Sequence, residues 1–175
     1  MALEGTRAGT CDTLSRSARC RYTTTMRLAL YQPDQAGNVG TVIRLAACLG
    51  VALDVIEPCG FPFSDRALKR AGMDYAEMAA VTRHANWELF EAGLAGRLVL
   101  FTTAGAVSLS EAVFGPEDTL LFGSESRGVA PDVHARAALR VRIPQAAGTR
   151  SLNLAVSAGI GLAEAMRQTR GWPAT

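Results

Sequence analysis

"DTLLFGSESRG" (residues 118–128) runs from an apolar stretch straight into a glycine-bracketed loop with a carboxylate in its middle. A short apolar run closed by a glycine turn reads as a buried strand that delivers a loop at its C-terminal end. Turns of that kind usually cradle phosphates through backbone N–H groups. Glu125 would repel a phosphate. The loop therefore suits a ligand that is neutral, cationic or rich in amino donors, or else Glu125 anchors a nearby arginine. No GK[ST] follows, so this is not a P-loop. Neither Ser124 nor Ser126 has glycine two residues away on both sides, so it is not a nucleophile elbow either.

The pattern repeats on both sides of that stretch. "MRLALYQP" (26–33), "VALDVIEP" (51–58), "RLVLFTT" (97–103) and "LRVRIP" (139–144) read as further strands. Helices are expected at 37–50, 64–72, 86–96, 130–138 and 151–171, with glycine stops at Gly50 and Gly72 and a proline near the start of the fourth. Strands that are mostly apolar rather than strictly alternating, and that alternate with helices, predict an α/β fold: a mostly parallel sheet with helices on both faces. Residues 26–175 carry no repeat or low-complexity linker and read as one domain.

Residues 1–25 differ, being rich in Thr, Arg and Ser without helix or strand periodicity. They contain no apolar core of a signal peptide, and Met26 opens the first strand. They are expected to be a disordered leader, or to precede the true start of translation. The whole chain carries eighteen basic and sixteen acidic residues; without the leader's four arginines and two acids the remainder is neutral. Bulk charge thus does not announce a nucleic-acid partner. Lys69 is the only lysine, and an arginine-biased set of cations is compatible with phosphate contacts.

The four cysteines (Cys11, Cys20, Cys48, Cys59) form no CxxC, and His84 and His134 are the only histidines, so no protein metal site is expected. Cys48 reads as a small buried hydrophobe on the first helix, and free thiols favour a reducing cytoplasm. No apolar run is long enough to span a membrane.

Three loops stand where parallel strands deliver their C-terminal ends, which is where open α/β sheets bind ligands. They are "QAGNVGTVIR" (35–44), with Asn38 placed to cap a helix, "FGSESRG" (122–128), and "RIPQAAGTRSLNLAVSAG" (142–159), in which Ser151 or Asn153 could cap the last helix. Each is weak alone. In this order, Asn38, Gly40 and Arg44, then "FGSESRG", then "IP…RSLNLAVSAG" resemble the three motifs of the SPOUT class of RNA methyltransferases. With "IEPCGF", "LKRAGMDY", "VTRH" and "LFTTAG", the chain from residue 26 onward is most similar to the tRNA ribose 2′-O-methyltransferases that act on the wobble nucleotide.

The resemblance implies a C-terminal deep trefoil knot, a homodimer, S-adenosylmethionine as methyl donor and the tRNA anticodon loop as substrate. A sulfonium cofactor would remove the charge conflict at Glu125. By motif, Phe101, Thr102, Gly123, Ile143, Ser151 and Leu152 would hold the cofactor, with Leu121 a neighbour. Arg44 would serve catalysis, either as base or as a phosphate clamp that stabilises the developing alkoxide; Glu125 would orient it and Asn153 would hold the ribose. Arg66, Lys69, Arg70, Arg83, His84 and Arg150 are the expected RNA contacts. Ala163 stands where close relatives often carry an aromatic residue. Two other readings are a sister 2′-O-methyltransferase acting elsewhere on tRNA or on ribosomal RNA, and a non-catalytic nucleotide- or RNA-binding module.

Overall fold

The first strand, β1 (Arg27–Tyr31), is buried on both sides, which is why its sequence does not alternate. Leu28 and Leu30 enter one apolar cluster, while Ala29 and Tyr31 enter another on the opposite face of the sheet. The computed structural model describes residues 24–62 and 79–174. The expected helix at 64–72, with Arg66, Lys69 and Arg70, lies outside the described residues, as do Cys11, Cys20 and all but the last two residues of the leader.

After β1 come α1 (Ala36–Leu49), β2 (Ala52–Ile56), β3 (Val81–His84), α2 (Trp87–Ala92), β4 (Leu98–Phe101), β5 (Val107–Ser108), β6 (Thr119–Phe122), α3 (Pro131–Arg136), β7 (Leu139–Arg142) and α4 (Leu154–Thr169). The strands form one sheet in the order β3-β2-β1-β6-β4-β7-β5, and every pair is parallel. Helices α1 and α4 cover one face through Val39, Val42, Ile43, Leu154, Ala158 and Leu162. The opposite face is covered by Trp87 and Phe90 of α2 and Val133 of α3. The expected α/β sheet with helices on both faces is what the chain forms.

Two strands had no apolar run to announce them. β3 (VTRH) lies at one edge with its middle residues exposed, and β5 is a two-residue strand at the other edge. Cys48 is exposed, contrary to expectation. Helix α1 buries Val39, Gly40, Val42, Ile43 and Ala46, which turns Gly37, Thr41, Arg44 and Cys48 outward as one stripe.

The centre of the sheet should dominate stability. Leu120 is fully buried in β6 between β1 and β4. Its replacement by alanine is expected to cost about 2–5 kcal/mol, read as a lower urea midpoint at unchanged slope.

Candidate cofactor and active site

The strand order changes direction between β1 and β6, because β2 and β3 extend to one side of that pair and β4, β7 and β5 to the other. The loops leaving β1, β6, β4 and β7 therefore open at one edge of the sheet, where doubly wound folds leave a crevice. A cavity of about 560 Å³ lies there, lined by Phe101 and Thr102 from β4, Gly123–Gly128 from β6, Ile143 from β7, and Ser151–Asn153 at the start of α4. Its size falls in the range that holds a nucleoside-sized ligand. The fold brings Phe101, Thr102, Gly123, Glu125, Ile143, Ser151, Leu152 and Asn153 to the wall of this one cavity. Leu121 is not on that wall: it is fully buried in the cluster beneath α2 and α3.

Phe101 forms an apolar corner of the site. Its ring stacks on Phe122 (centroids 4.7 Å apart) and on Phe114 (6.1 Å). A Cβ on Gly161 would fall 2.6 Å from the Phe101 ring, so glycine lets α4 pass directly over it.

The 123–128 turn closes on itself, Ser124 and Gly128 exchanging backbone hydrogen bonds of 2.9 and 2.8 Å. Glu125 does not face a ligand unsatisfied. Its Oε1 accepts from Asn38 Nδ2 and its Oε2 from the Asp34 N–H, each at 2.7 Å. The carboxylate expected to orient Arg44 is committed instead to Asn38, about a turn and a half earlier on the same helix.

Asn38 does not cap α1, whose N-cap is Gln35 without a side-chain bond. It acts as a bridge: its Oδ1 accepts from Asn153 Nδ2 at 2.9 Å. Asn153 in turn caps α4, accepting the N–H groups of Ala155 and Val156. One side-chain chain, Glu125–Asn38–Asn153, therefore joins the three motif loops.

Asp34 completes it from the other side. Its Oδ2 accepts from Ser126 N–H at 2.8 Å and from Ser124 Oγ at 3.0 Å. Hydrogen bonding from Ser126, side chain and N–H, holds the Asp34 carboxyl below its ordinary value, with Ser124 and the charge of Arg127 adding to that. The sequence reading missed Asp34; its position one residue after Pro33, in the loop that leaves β1, was the only local signal.

Arg44 does not line the cavity; it stands exposed on α1, a turn and a half beyond Asn38. Arg150 is exposed beside Ser151 at the cavity's edge. Arg83 and His84 lie on β3, at the far edge of the sheet. Arg83 donates to Glu57 at 2.7 Å, and His84 turns Nε2 to buried Asp54 at 2.8 Å, where Arg27 also binds in bidentate fashion. Among the described residues no group of three or more His, Cys, Asp or Glu is placed to hold a metal ion.

Known proteins resemble this chain in sequence and fold. The family model described as the SpoU rRNA Methylase family matches residues 25–163. The chain is 47% identical over 154 residues to the tRNA (cytidine(34)-2′-O)-methyltransferase of Ancylobacter novellus, a match covering 86% of this chain and 98% of that protein. A solved structure concerned with the 2-OH methylation of C/U34 on tRNA superposes with a TM-score of 0.78 at 42% identity, over 83% of this chain and 97% of the other. An AdoMet-bound rRNA methyltransferase from Sinorhizobium meliloti superposes with a TM-score of 0.72 at 32% identity, over 81% of this chain and 56% of that one. A family match over residues 25–163, with relatives this similar over most of the chain, means that the chain belongs to the SpoU rRNA methylase family.

Proposed function

We propose that this protein methylates the ribose 2′-hydroxyl of the wobble nucleotide of tRNA, with S-adenosylmethionine as donor. The observation that carries the reading is the side-chain chain Glu125–Asn38–Asn153, which closes three motif loops around one cavity of suitable size. Relatives similar over nearly their whole length are named for cytidine 34 of tRNA, which supports the substrate.

The residues present fit the cofactor. An adenosine can rest against Phe101, Ile143 and Leu152, with the Thr102 hydroxyl and the Gly123 backbone on the same wall as polar partners. Glu125, each of its oxygens satisfied by an uncharged donor, offers a sulfonium a negative wall without an orphaned carboxylate. When bound, the cofactor supplies an electrophilic methyl group. The protein's own task is to present the ribose oxygen and stabilise the charge that develops on it. Arg44, with its planar guanidinium of five N–H donors, is suited to that electrostatic role and to gripping the adjacent phosphate. Asn153 lines the cavity, and the hydrogen of its Nδ2 that is not given to Asn38 is the donor this reading assigns to the ribose. Arg150 and the arginines outside the described residues supply the phosphate contacts of this reading, so RNA affinity should fall steeply with salt.

The fold reading extends to a knot and a dimer. The insertion of β6 between β1 and β4, followed by the return of β7 to the far side of β4, supports a C-terminal segment threaded as a trefoil knot. On α4 and the residues before it, Leu152, Val156 and Ile160 are exposed at four-residue spacing, 37%, 48% and 37% accessible. An apolar stripe of that kind supports a partner helix from a second copy. Ile160→Asp should shift the protein from dimer to monomer in light scattering, and a dimer unaffected by it would remove this face from the interface.

The deciding experiment is transfer of labelled methyl from S-adenosylmethionine to tRNA from a strain lacking this protein, followed by nucleotide mapping. Label as 2′-O-methyl at the wobble position is expected. Label elsewhere on tRNA, or only on ribosomal RNA, would keep the chemistry and replace the substrate.

A further inference from the structure

Asp34 sits where the chain has been bent to bring it. Gln32 N–H donates to Ile56 O at 2.9 Å, prolonging the β1–β2 ladder. The backbone then turns at Gln32 itself, whose φ of 47° is uncommon for a residue other than glycine. Pro33 O accepts from Gly60 N–H at 2.9 Å, and a Cβ on Gly60 would come within 2.9 Å of Asp34 Cα. The loop after β2 therefore presses Asp34 from behind, while the 124–126 turn meets it in front.

The contact in front is reciprocal. The Asp34 backbone donates to Glu125, and its carboxylate receives Ser126 N–H and the Ser124 hydroxyl. Ser124 Oγ also accepts from Arg127 N–H at 3.2 Å, so fixing that hydroxyl fixes the turn on both sides of Glu125. We propose that Asp34 is a positioning residue for methyl transfer, its carboxylate locking the 124–128 turn so that the cofactor wall and helix α1, which carries Arg44, keep one registry. The inference rests on the methyltransferase reading above. It assigns Asp34 no contact with the RNA or with the reacting atoms.

Asp34→Ala removes the carboxylate and leaves the backbone donor to Glu125 in place, so it isolates the proposed role. The Kd for S-adenosylhomocysteine, measured by calorimetry, should rise roughly tenfold, the scale of a lost charge-assisted hydrogen bond. The kcat for tRNA methylation should fall by about 100-fold, the scale expected when reacting groups lose about 1 Å of alignment. KM for tRNA should stay within about threefold, because Asp34 reaches no phosphate. Asp34→Asn keeps one oxygen acceptor for Ser126 N–H and should recover about tenfold of the lost kcat.

A lowered melting temperature with kcat and cofactor Kd unchanged would reduce Asp34 to a structural residue and overturn the proposal. An Asn variant no better than Ala would overturn it as well, since the acceptor would then not be what matters. Cofactor affinity is independent of which RNA is used. A wild-type protein that methylates a different nucleotide would therefore remove the wobble reading and leave this comparison intact on the RNA it does modify.

Discussion

Arg44→Ala should leave S-adenosylmethionine binding within about twofold of wild type and lower kcat by roughly 100- to 1,000-fold, the loss typical of removing one preorganised stabiliser of transition-state charge. The split follows from where the residue stands. Arg44 is exposed on α1 and contributes nothing to the wall of the cavity, so the cofactor does not depend on it. It shares its helix with Asn38, which is tied to both other motif loops, so its helix is held against the site while its side chain faces out. Arg44→Lys keeps the charge but loses the planar fork; it should recover only part of the rate if the guanidinium grips a phosphate through two bonds. Single-turnover methylation beside calorimetric titration of the cofactor would read both halves. A variant that loses cofactor affinity and rate together would mean that Arg44 supports the fold of the site rather than its chemistry.

Gly123→Ala should do the reverse and strike cofactor binding first. A Cβ at position 123 would lie 2.6 Å from the carbonyl carbon of Gly128 and 2.8 Å from its Cα, and both are backbone atoms that cannot swing aside. The turn must open, breaking the paired hydrogen bonds between Ser124 and Gly128 and moving Glu125 away from Asn38. The expected rise in cofactor Kd is about 10- to 100-fold, the affinity equivalent of the roughly 1–3 kcal/mol that overpacking costs. Because β6 itself is unchanged, far-ultraviolet circular dichroism should be close to wild type. Retained affinity would show that the turn can be remade without its closed form.

How much of this could be read from the residues follows from how local each signal is. The runs that became β1, β2, β4 and β6 are buried on both faces, so apolar composition alone revealed them. The two edge strands could not be found that way, since β3 exposes its middle residues and β5 has only two. Cys48 was misplaced for a related reason. A helix nearly apolar along its length gives weak phase information, and the buried set 39, 42, 43 and 46 leaves position 48 outside.

At the site, motif order identified the wall residues, because each lies within a few positions of a strand end or helix start. The partners of Glu125 were not legible. Asp34 and Asn38 sit 91 and 87 residues away, and only the folded sheet brings them within 2.7 Å. A guanidinium was the obvious partner for a carboxylate on charge alone; two uncharged donors, a backbone N–H and a side-chain amide, took its place. His84 shows the same limit. A histidine beside an arginine reads as a phosphate contact, yet its ring is turned to Asp54, thirty residues earlier in the chain.

The link between Asn38 and Asn153 spans 115 residues, and it has a consequence for when the protein becomes competent. During synthesis the strands near the N-terminus can pair and bury their apolar sides long before position 153 leaves the ribosome. The site cannot close until then, because the residue that caps the last helix is also the third member of the bridge. A half-made chain would hold β1, β2 and β3, three of the seven strands, and no working centre. Methylation competence is thus acquired in one late step, and an interrupted or truncated product stays inert instead of acting as a poor enzyme.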